Sequence, residues 1–223
     1  MSKMDFMELL RETQNEVAGL CDNPYYKTAY QKDEFRYWDK VAQWLWELAE
    51  RKVLHCFDIG CAYGTLALYV KKLFKCEIYC TDYVDLYMSN RMVTTYNFHY
   101  QVSNIELDPF PFKKMPCFDL ILFTEVLEHL NFHPEPTLAR IHDLLTDEGV
   151  LLLSTPDAEV YGRVDRYQQF DEIPYPKKGL PVIDDHIYVY HENELRELFK
   201  RVGLQIICFE KNSYGHFNVM LKK

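Results

Sequence analysis

From about residue 53 onward, short apolar runs alternate with helical periodicities, and no other feature limits the fold so strongly. "VLHCFDI" reads as a strand, "TLALYVKKLF" as a helix, "EIYCTD" as a strand, "VDLYMSNRMVTT" as a helix and "FHYQVS" as a strand. "FDLILFT", "PTLARIHDLL" and "GVLLLST" continue as strand, helix and strand, the last opened by Gly149. Strands separated by helices run parallel with helical crossovers, and uninterrupted apolar runs belong to a sheet covered on both faces. Near the C-terminus, "ENELRELFKRVG" is a helix closed by Gly203. "LQIICFEK" and "HFNVMLKK" then form a hairpin around Gly215. The expectation is a doubly wound, mostly parallel α/β sheet.

Two more helical patterns, at about 4 to 19 and 33 to 51, precede the alternation. The N-terminus, "MSKMDFMELLRETQNEV", carries charges within its helical pattern, unlike the apolar block of a leader peptide. No apolar run approaches the roughly 20 residues that cross a bilayer, so a soluble, cytoplasmic protein is expected. The seven cysteines form no CxxC pair, and several sit in strand-like runs, as small buried hydrophobes of a reducing compartment do. The net charge of -9 argues against a broad basic face for nucleic acid. The pairs Lys71 with Lys72 and Lys113 with Lys114 read as solvated faces.

The chemistry concentrates in "FDIGCAYGTLALYV", where a strand ends at Asp58 and Ile59, a small-residue loop follows, and a helix begins near Gly64. In a doubly wound sheet, nucleotide-like ligands bind at this place. A dinucleotide fingerprint needs glycines at 60, 62 and 65, and the chain has Gly60, Ala62 and Thr65. Asp58 would repel a pyrophosphate but suits a ligand carrying an ammonium and a sulfonium. Asp82, about twenty residues on at the next strand's end, is placed to accept both hydroxyls of a ribose, with Tyr83 packing on the base.

In order and spacing, "DIGCAYG", "CTDY", "SNIELDPFPF", "FDLILFTEVLEHL" and "EGVLLLSTPD" resemble the class I S-adenosylmethionine (SAM)-dependent methyltransferases over about residues 53 to 222. The resemblance implies a Rossmann-like, seven-stranded sheet with an antiparallel last strand, and SAM as cofactor. By it, the loop Asp58, Gly60, Cys61, Ala62, Tyr63 and Gly64 holds the methionine part, and Asp82 binds the ribose beside Tyr83. Asn104 and Ile105 flank the adenine, and Thr124 and Glu125 lie near the transferred methyl. The family usually has glycine in place of Ala62 and often aspartate in place of Asn104, whose carbonyl can still accept from the adenine amino group. The chain then reads as one methyltransferase domain. Its parts are N-terminal helices (1–52), a SAM-binding half (53–155), a lid or acceptor loop (156–190) and a C-terminal helix and hairpin (191–223).

"TEVLEHL", Thr124 to Leu130, admits three readings. If it starts a helix, Glu125, Glu128 and His129 share a face. The acids then complement the helix dipole and help position the cofactor. Alternatively, His129 acts as the base that deprotonates an acceptor hydroxyl, with His133, His186 and His191 as other candidates and Glu128 beside them. Thirdly, Glu125, Glu128, His129 and His186 hold a divalent metal. That last pattern resembles the small-RNA 3′-terminal 2′-O-methyltransferases, a likeness extending to "STPDAE". The tyrosine-rich "NPYYKTAYQKDEFRYWDKVAQWLW" covers a sheet edge or, with Tyr161, Tyr167 and Tyr175 of the lid, closes over the acceptor. Together these features point to methyl transfer onto a hydroxyl of a small molecule, a carbohydrate or secondary-metabolite precursor, with a divalent metal allowed but not favoured, no membrane and a nucleic-acid partner not expected. The alternatives are metal-assisted RNA ribose methylation, a non-catalytic SAM-binding protein and, more distantly, a nicotinamide-dependent reductase.

Overall fold

The computed structural model describes residues 5–163 and 166–223. Helices α1 (Phe6–Leu20) and α2 (Gln31–Glu47), joined by a π turn over Tyr26–Tyr30, precede the sheet. Then follow β1 (His55–Ile59), α3 (Thr65–Phe74), β2 (Glu77–Asp82), α4 (Asn90–Tyr96), β3 (His99–Val102) and β4 (Phe118–Thr124). The chain continues through α5 (Glu135–Leu144), β5 (Leu145–Pro156), α6 (Ala158–Tyr161), α7 (Glu192–Arg201), β6 (Gln205–Lys211) and β7 (His216–Lys222). The seven strands lie in the order β3-β2-β1-β4-β5-β7-β6. All pairings are parallel except those of β7, which runs antiparallel to both β5 and β6. The parallel, doubly wound core is what the strand and helix pattern led one to expect, and the seven-stranded Rossmann-like form with its antiparallel last strand is what the methyltransferase resemblance implied.

Alternation along each strand divides the core into two faces. Cys56, Leu120, Leu122 and Leu152 pack with residues of α1 to α4. Phe57, Ile121, Phe123 and Leu153 pack with α5 and α7. The crossover between β1 and β4 puts the order reversal at their C-terminal ends, the position where doubly wound sheets open a crevice. The cysteines are free thiols, with Cys21, Cys56, Cys61, Cys76 and Cys80 buried. Among the described residues, no helix is long and apolar enough to cross a membrane.

Two expected helices are corrected. In "VDLYMSNRMVTT" only Asn90–Tyr96 is helical, because Ser89 caps it by accepting from the Met92 N–H at 3.1 Å. The residues before Ser89 are instead drawn back to the sheet by Asp82, whose Oδ1 accepts from the Val84 N–H at 3.3 Å. In "TEVLEHL" Glu125 is left-handed (φ 53°), and only a single 3₁₀ turn, Leu127–His129, follows. The shared helical face of Glu125, Glu128 and His129 does not form.

Candidate active site

The loop between β1 and α3 turns through three left-handed residues, Gly60 (φ 75°), Ala62 (φ 42°) and Gly64 (φ 80°). At Gly60 a Cβ would lie 2.2 Å from Val126 Cγ2, so both the dihedral and the space require glycine. Ala62 keeps its unfavourable backbone because Asp82 Oδ2 accepts its N–H at 2.9 Å. The N–H groups of Gly60 and Cys61 donate to Thr81 O at 2.8 and 3.2 Å, and that of Gly64 to Cys61 O at 2.7 Å. A phosphate-cradling loop points such donors at its ligand. Here most of them are spent within the protein.

Asp58 is buried, and burial, with the Asp82 charge second, pushes its carboxyl up to about 7. It does not reach the main cleft. Together with Cys61 and Glu34 it lines a small adjoining cavity beneath the loop. The main cleft, of about 340 Å³, lies over the C-terminal ends of β1, β2 and β4. Gly60, Ala62, Tyr63, Asp82 and Tyr83 line one side, with Asn104 and Ile105 beyond them. Asn104 Oδ1 accepts from the Glu106 and Leu107 N–H groups at 2.9 and 3.2 Å. Its amide nitrogen is therefore the group left for a ligand. Gly64 lines neither cavity and caps α3 instead.

Thr124, Glu125 and His129 form the floor at the end of β4. Glu125 is fixed by two partners that the sequence reading missed. Ser154 Oγ on β5 donates to Oε1 at 2.6 Å, and His216 Nδ1 on β7 lies 3.0 Å from Oε2, off the hydrogen-bond direction. Burial pushes Glu125 up to about 8. Glu128 is buried behind the floor, its Oε2 accepting from Thr155 Oγ1 at 3.0 Å. Burial and then the Glu125 charge raise it to about 8 as well.

His129 Nδ1 lies 3.0 Å from the carbonyl oxygen of Asp185. A carbonyl only accepts, so Nδ1 carries a proton, and in the neutral ring Nε2 holds the lone pair. His186 does fold back toward His129, their rings edge-on at 4.6 Å. One ligand atom each of Glu128, His129 and His186 can be drawn within 4.8 Å of one another. Glu125 is not part of that group. His133 is buried and stacks on Tyr175 at 4.6 Å outside the cleft, and His191 caps α7 in a capping box with Glu194.

The roof comes from two distant segments. Asn131 exchanges hydrogen bonds with Ile183, Nδ2 to O at 3.0 Å and N–H to Oδ1 at 2.8 Å, which holds Val182, Ile183 and Asp184 over the cleft. The expected lid tyrosines do not do this. Tyr161 donates to Tyr214 O and pairs with His216 Nε2, Tyr175 covers His133, and Tyr167 packs on the core. From the N-terminal segment, Tyr25, Tyr30 and Tyr37 reach the cleft. The density of tyrosine there was visible in the sequence, but which ones face inward was not.

The sequence model of the methyltransferase domain family matches residues 30–208. The chain belongs to this family. The class I SAM-dependent methyltransferase resemblance therefore holds, and SAM is the cofactor of this methyltransferase. Among solved structures, a TehB-like SAM-dependent methyltransferase from Corynebacterium glutamicum is 16% identical, with a TM-score of 0.58 over 90% of this chain and 100% of that one. The Burkholderia thailandensis 1,6-didemethyltoxoflavin-N1-methyltransferase, solved with 1,6-didemethyltoxoflavin and S-adenosylhomocysteine, is 14% identical, with a TM-score of 0.61 over 100% and 92%. Human N-acetylserotonin methyltransferase in complex with SAM is 14% identical, with a TM-score of 0.54 over 98% and 56%. At these identities the likeness is one of fold. No curated protein matches the chain in sequence.

The residues of this methyltransferase fit such a cofactor on their own chemistry. Asp58 is buried beside a loop whose N–H donors are mostly engaged, and among the described residues no lysine or arginine lines the main cleft. A dinucleotide pyrophosphate would find little here to neutralise it, whereas a nucleoside bearing positive charge meets the carboxylates of Asp82 and Asp184 in the cleft lining.

Proposed function

We propose that this methyltransferase transfers a methyl group from SAM to a hydroxyl of a small molecule, a carbohydrate or secondary-metabolite precursor, acting as a single cytoplasmic domain. The observation that carries the reading is the placing of His129 on the floor of an acidic cleft, with its Nδ1 proton committed to a backbone carbonyl. SAM supplies a methyl carbon activated by its sulfonium, so the protein has to align an acceptor and remove its proton. In this reading the loop from Gly60 to Gly64, with Asp58 beneath it, seats the methionine part. Asp82 accepts from the ribose hydroxyls, Tyr83 packs on the base, and Asn104 and Ile105 meet the adenine edge. Thr124 and Glu125 border the methyl-transfer point. His129 Nε2 takes the proton of the acceptor hydroxyl, with His186 and Glu128 beside it.

The roof residues Val182 and Ile183 give the cleft an apolar cover, and the acidic lining disfavours a polyanionic acceptor such as RNA. The test is transfer of labelled methyl from SAM across matched sugars, phenols and amines, with product analysis of the methylated atom. Methylation of oxygen supports the reading, and methylation of nitrogen or carbon alone contradicts it.

A second reading is supported by one observation, the grouping of Glu128, His129 and His186. One carboxylate oxygen and two imidazole nitrogens suit a divalent ion such as manganese. Such an ion, held there, would polarise ribose hydroxyls in RNA. Activity that survives chelation and Glu128→Ala removes this reading.

A further inference from the structure

Away from the glycine loop, the cleft is walled by aromatic rings. Tyr25, Tyr30 and Tyr37 line it in succession, with centroids 6.5 Å apart for the first pair and 6.3 Å for the second. The rings are tilted at 49° and 58° rather than stacked, so they do not cover one another's faces. Tyr25 is 52% exposed and carries this aromatic surface outward to solvent. At the inner end, Tyr37 meets His216 edge-on at 5.3 Å, and His216 Nδ1 lies 3.0 Å from Glu125 on the floor. Asn218 on β7 fixes the backbone there, its Nδ2 donating to Tyr37 O at 3.1 Å.

The amides and acids at this end are largely engaged with the protein itself. Asn131 donates its amide to two backbone carbonyls, His129 O at 3.2 Å and Ile183 O at 3.0 Å, and its Oδ1 accepts the Ile183 N–H. Glu106 accepts from the Asn131 and Phe132 N–H groups, one to each oxygen, at 3.0 and 2.7 Å. Glu125 Oε1 is taken by Ser154 Oγ. Asp184 on the roof is the exception. A sugar ring is recognised by several side chains that pair with its adjoining hydroxyls, and a hydroxyl buried without a partner carries a desolvation cost. Among the described residues, no lysine or arginine lines the cleft to receive an anionic acceptor.

We infer that the acceptor is a flat, neutral phenol, its ring against Tyr30 and Tyr37 beneath the apolar Val182 and Ile183, and its hydroxyl at His129. Aromatic rings pair favourably in offset or edge-on arrangements, which a tilted tyrosine wall offers. The base fits as well. A phenol ionises near a pKa of about 10, as the tyrosine side chain does, and a sugar hydroxyl several units higher, so an imidazole removes the phenol proton more readily. The phenol oxygen forms its bond to the methyl carbon as the carbon–sulfur bond breaks with its electron pair left on sulfur, and the phenol proton passes to His129 Nε2. The inference rests on the methyl-transfer reading of the cleft and deepens it by choosing a phenol over a carbohydrate.

The test is binding to protein loaded with S-adenosylhomocysteine, followed by calorimetry. Catechol, 4-ethylphenol and 2-naphthol are each compared with the saturated counterpart, cyclohexane-1,2-diol, 4-ethylcyclohexanol and decahydro-2-naphthol, and with methyl glucoside. Each pair shares its carbon frame and hydroxyls and differs in the aromatic face. At least one phenol should bind about tenfold or more tightly than its counterpart and than the glucoside, as pairing of aromatic rings gives. That preference should survive Tyr37→Phe, which keeps the ring, and be lost in Tyr37→Leu, while unchanged affinity for S-adenosylhomocysteine shows that both variants fold. Equal or tighter binding of the saturated compounds or the glucoside overturns the inference. So does a phenol preference that Tyr37→Leu leaves unchanged, or binding by none of the phenols. Transfer of labelled methyl from SAM to the same compounds separates this inference from the reading beneath it. Methylation of a sugar hydroxyl and no phenol fails the inference and leaves hydroxyl methylation standing, whereas methylation of nitrogen or carbon alone in the wider acceptor panel fails both.

Discussion

The glycine loop after β1 and the tyrosine wall on α2 border the same cleft, yet they are assembled in opposite ways. The loop is local: Gly60 to Gly64 are consecutive, and their backbone is pinned by Thr81 and Asp82 on the adjacent strand. The wall is remote: Tyr37 is held by Asn218 and lines the cleft with Glu125, which is itself held by Ser154 and His216. A site made of contiguous residues recognises a constant ligand, the cofactor. A site drawn from the N-terminal segment, β4, β5, β7 and the roof can be altered piece by piece. The two halves should therefore respond to mutation independently.

The largest expected effect lies on the acceptor side. His129→Gln should lower kcat by about 10² or more, as loss of a general base does, while SAM affinity stays unchanged. A parallel loss of SAM affinity would break the division between the halves. On the cofactor side, Gly60→Val meets Val126 and a left-handed backbone at once. Thermal or denaturant unfolding should show a loss of about 1–3 kcal/mol, with SAM binding lost alongside. Unchanged stability would mean that the loop relaxes freely. Asp82→Ala should raise the SAM Kd by about tenfold, the cost of about 1 kcal/mol or more for charged hydrogen bonds removed.

The smallest effect is in pH dependence, and its sign follows from burial. Asp58 is raised to about 7 from 3.8, and Glu125 and Glu128 to about 8 from 4.5. Between those limits the folded protein holds protons that the unfolded chain has lost, so stability falls as pH rises. The cofactor-free protein should show a declining Tm from pH 5 to pH 8. The stabilisation added by SAM should grow over the same interval, because a cation offsets the ionised carboxylates. A Tm that rises across this window would show that the carboxylates are already compensated.

The sequence revealed the sheet because its signals are local. The strands "EIYCTD" and "FDLILFT" and the helix "TLALYVKKLF" occupy Glu77–Asp82, Phe118–Thr124 and Thr65–Phe74, bounded by their own apolar runs and by Gly64. Where a tertiary contact overrides local pattern, the sequence misled. "TEVLEHL" has helical spacing, but the Glu125 N–H is taken by Ser154 O at 2.9 Å and its side chain by Ser154 and His216, which holds the residue left-handed. The inward tyrosines depend on a π turn and on a kink whose satisfaction comes from Asn218, far along the chain. His216 lies on a strand with no motif of its own, and "EGVLLLSTPD" contains Ser154 without marking it as a partner of Glu125. Only the order β4-β5-β7 brings them to Glu125.

The most direct measurement is calorimetric titration of SAM, and separately of NADH, into the wild-type protein at neutral pH. SAM should bind at a single site and NADH should give no binding heat, because a loop with its N–H groups engaged above a buried Asp58 cannot hold a pyrophosphate. Preferential binding of NADH, or no binding of SAM, would contradict the assignment of the cleft.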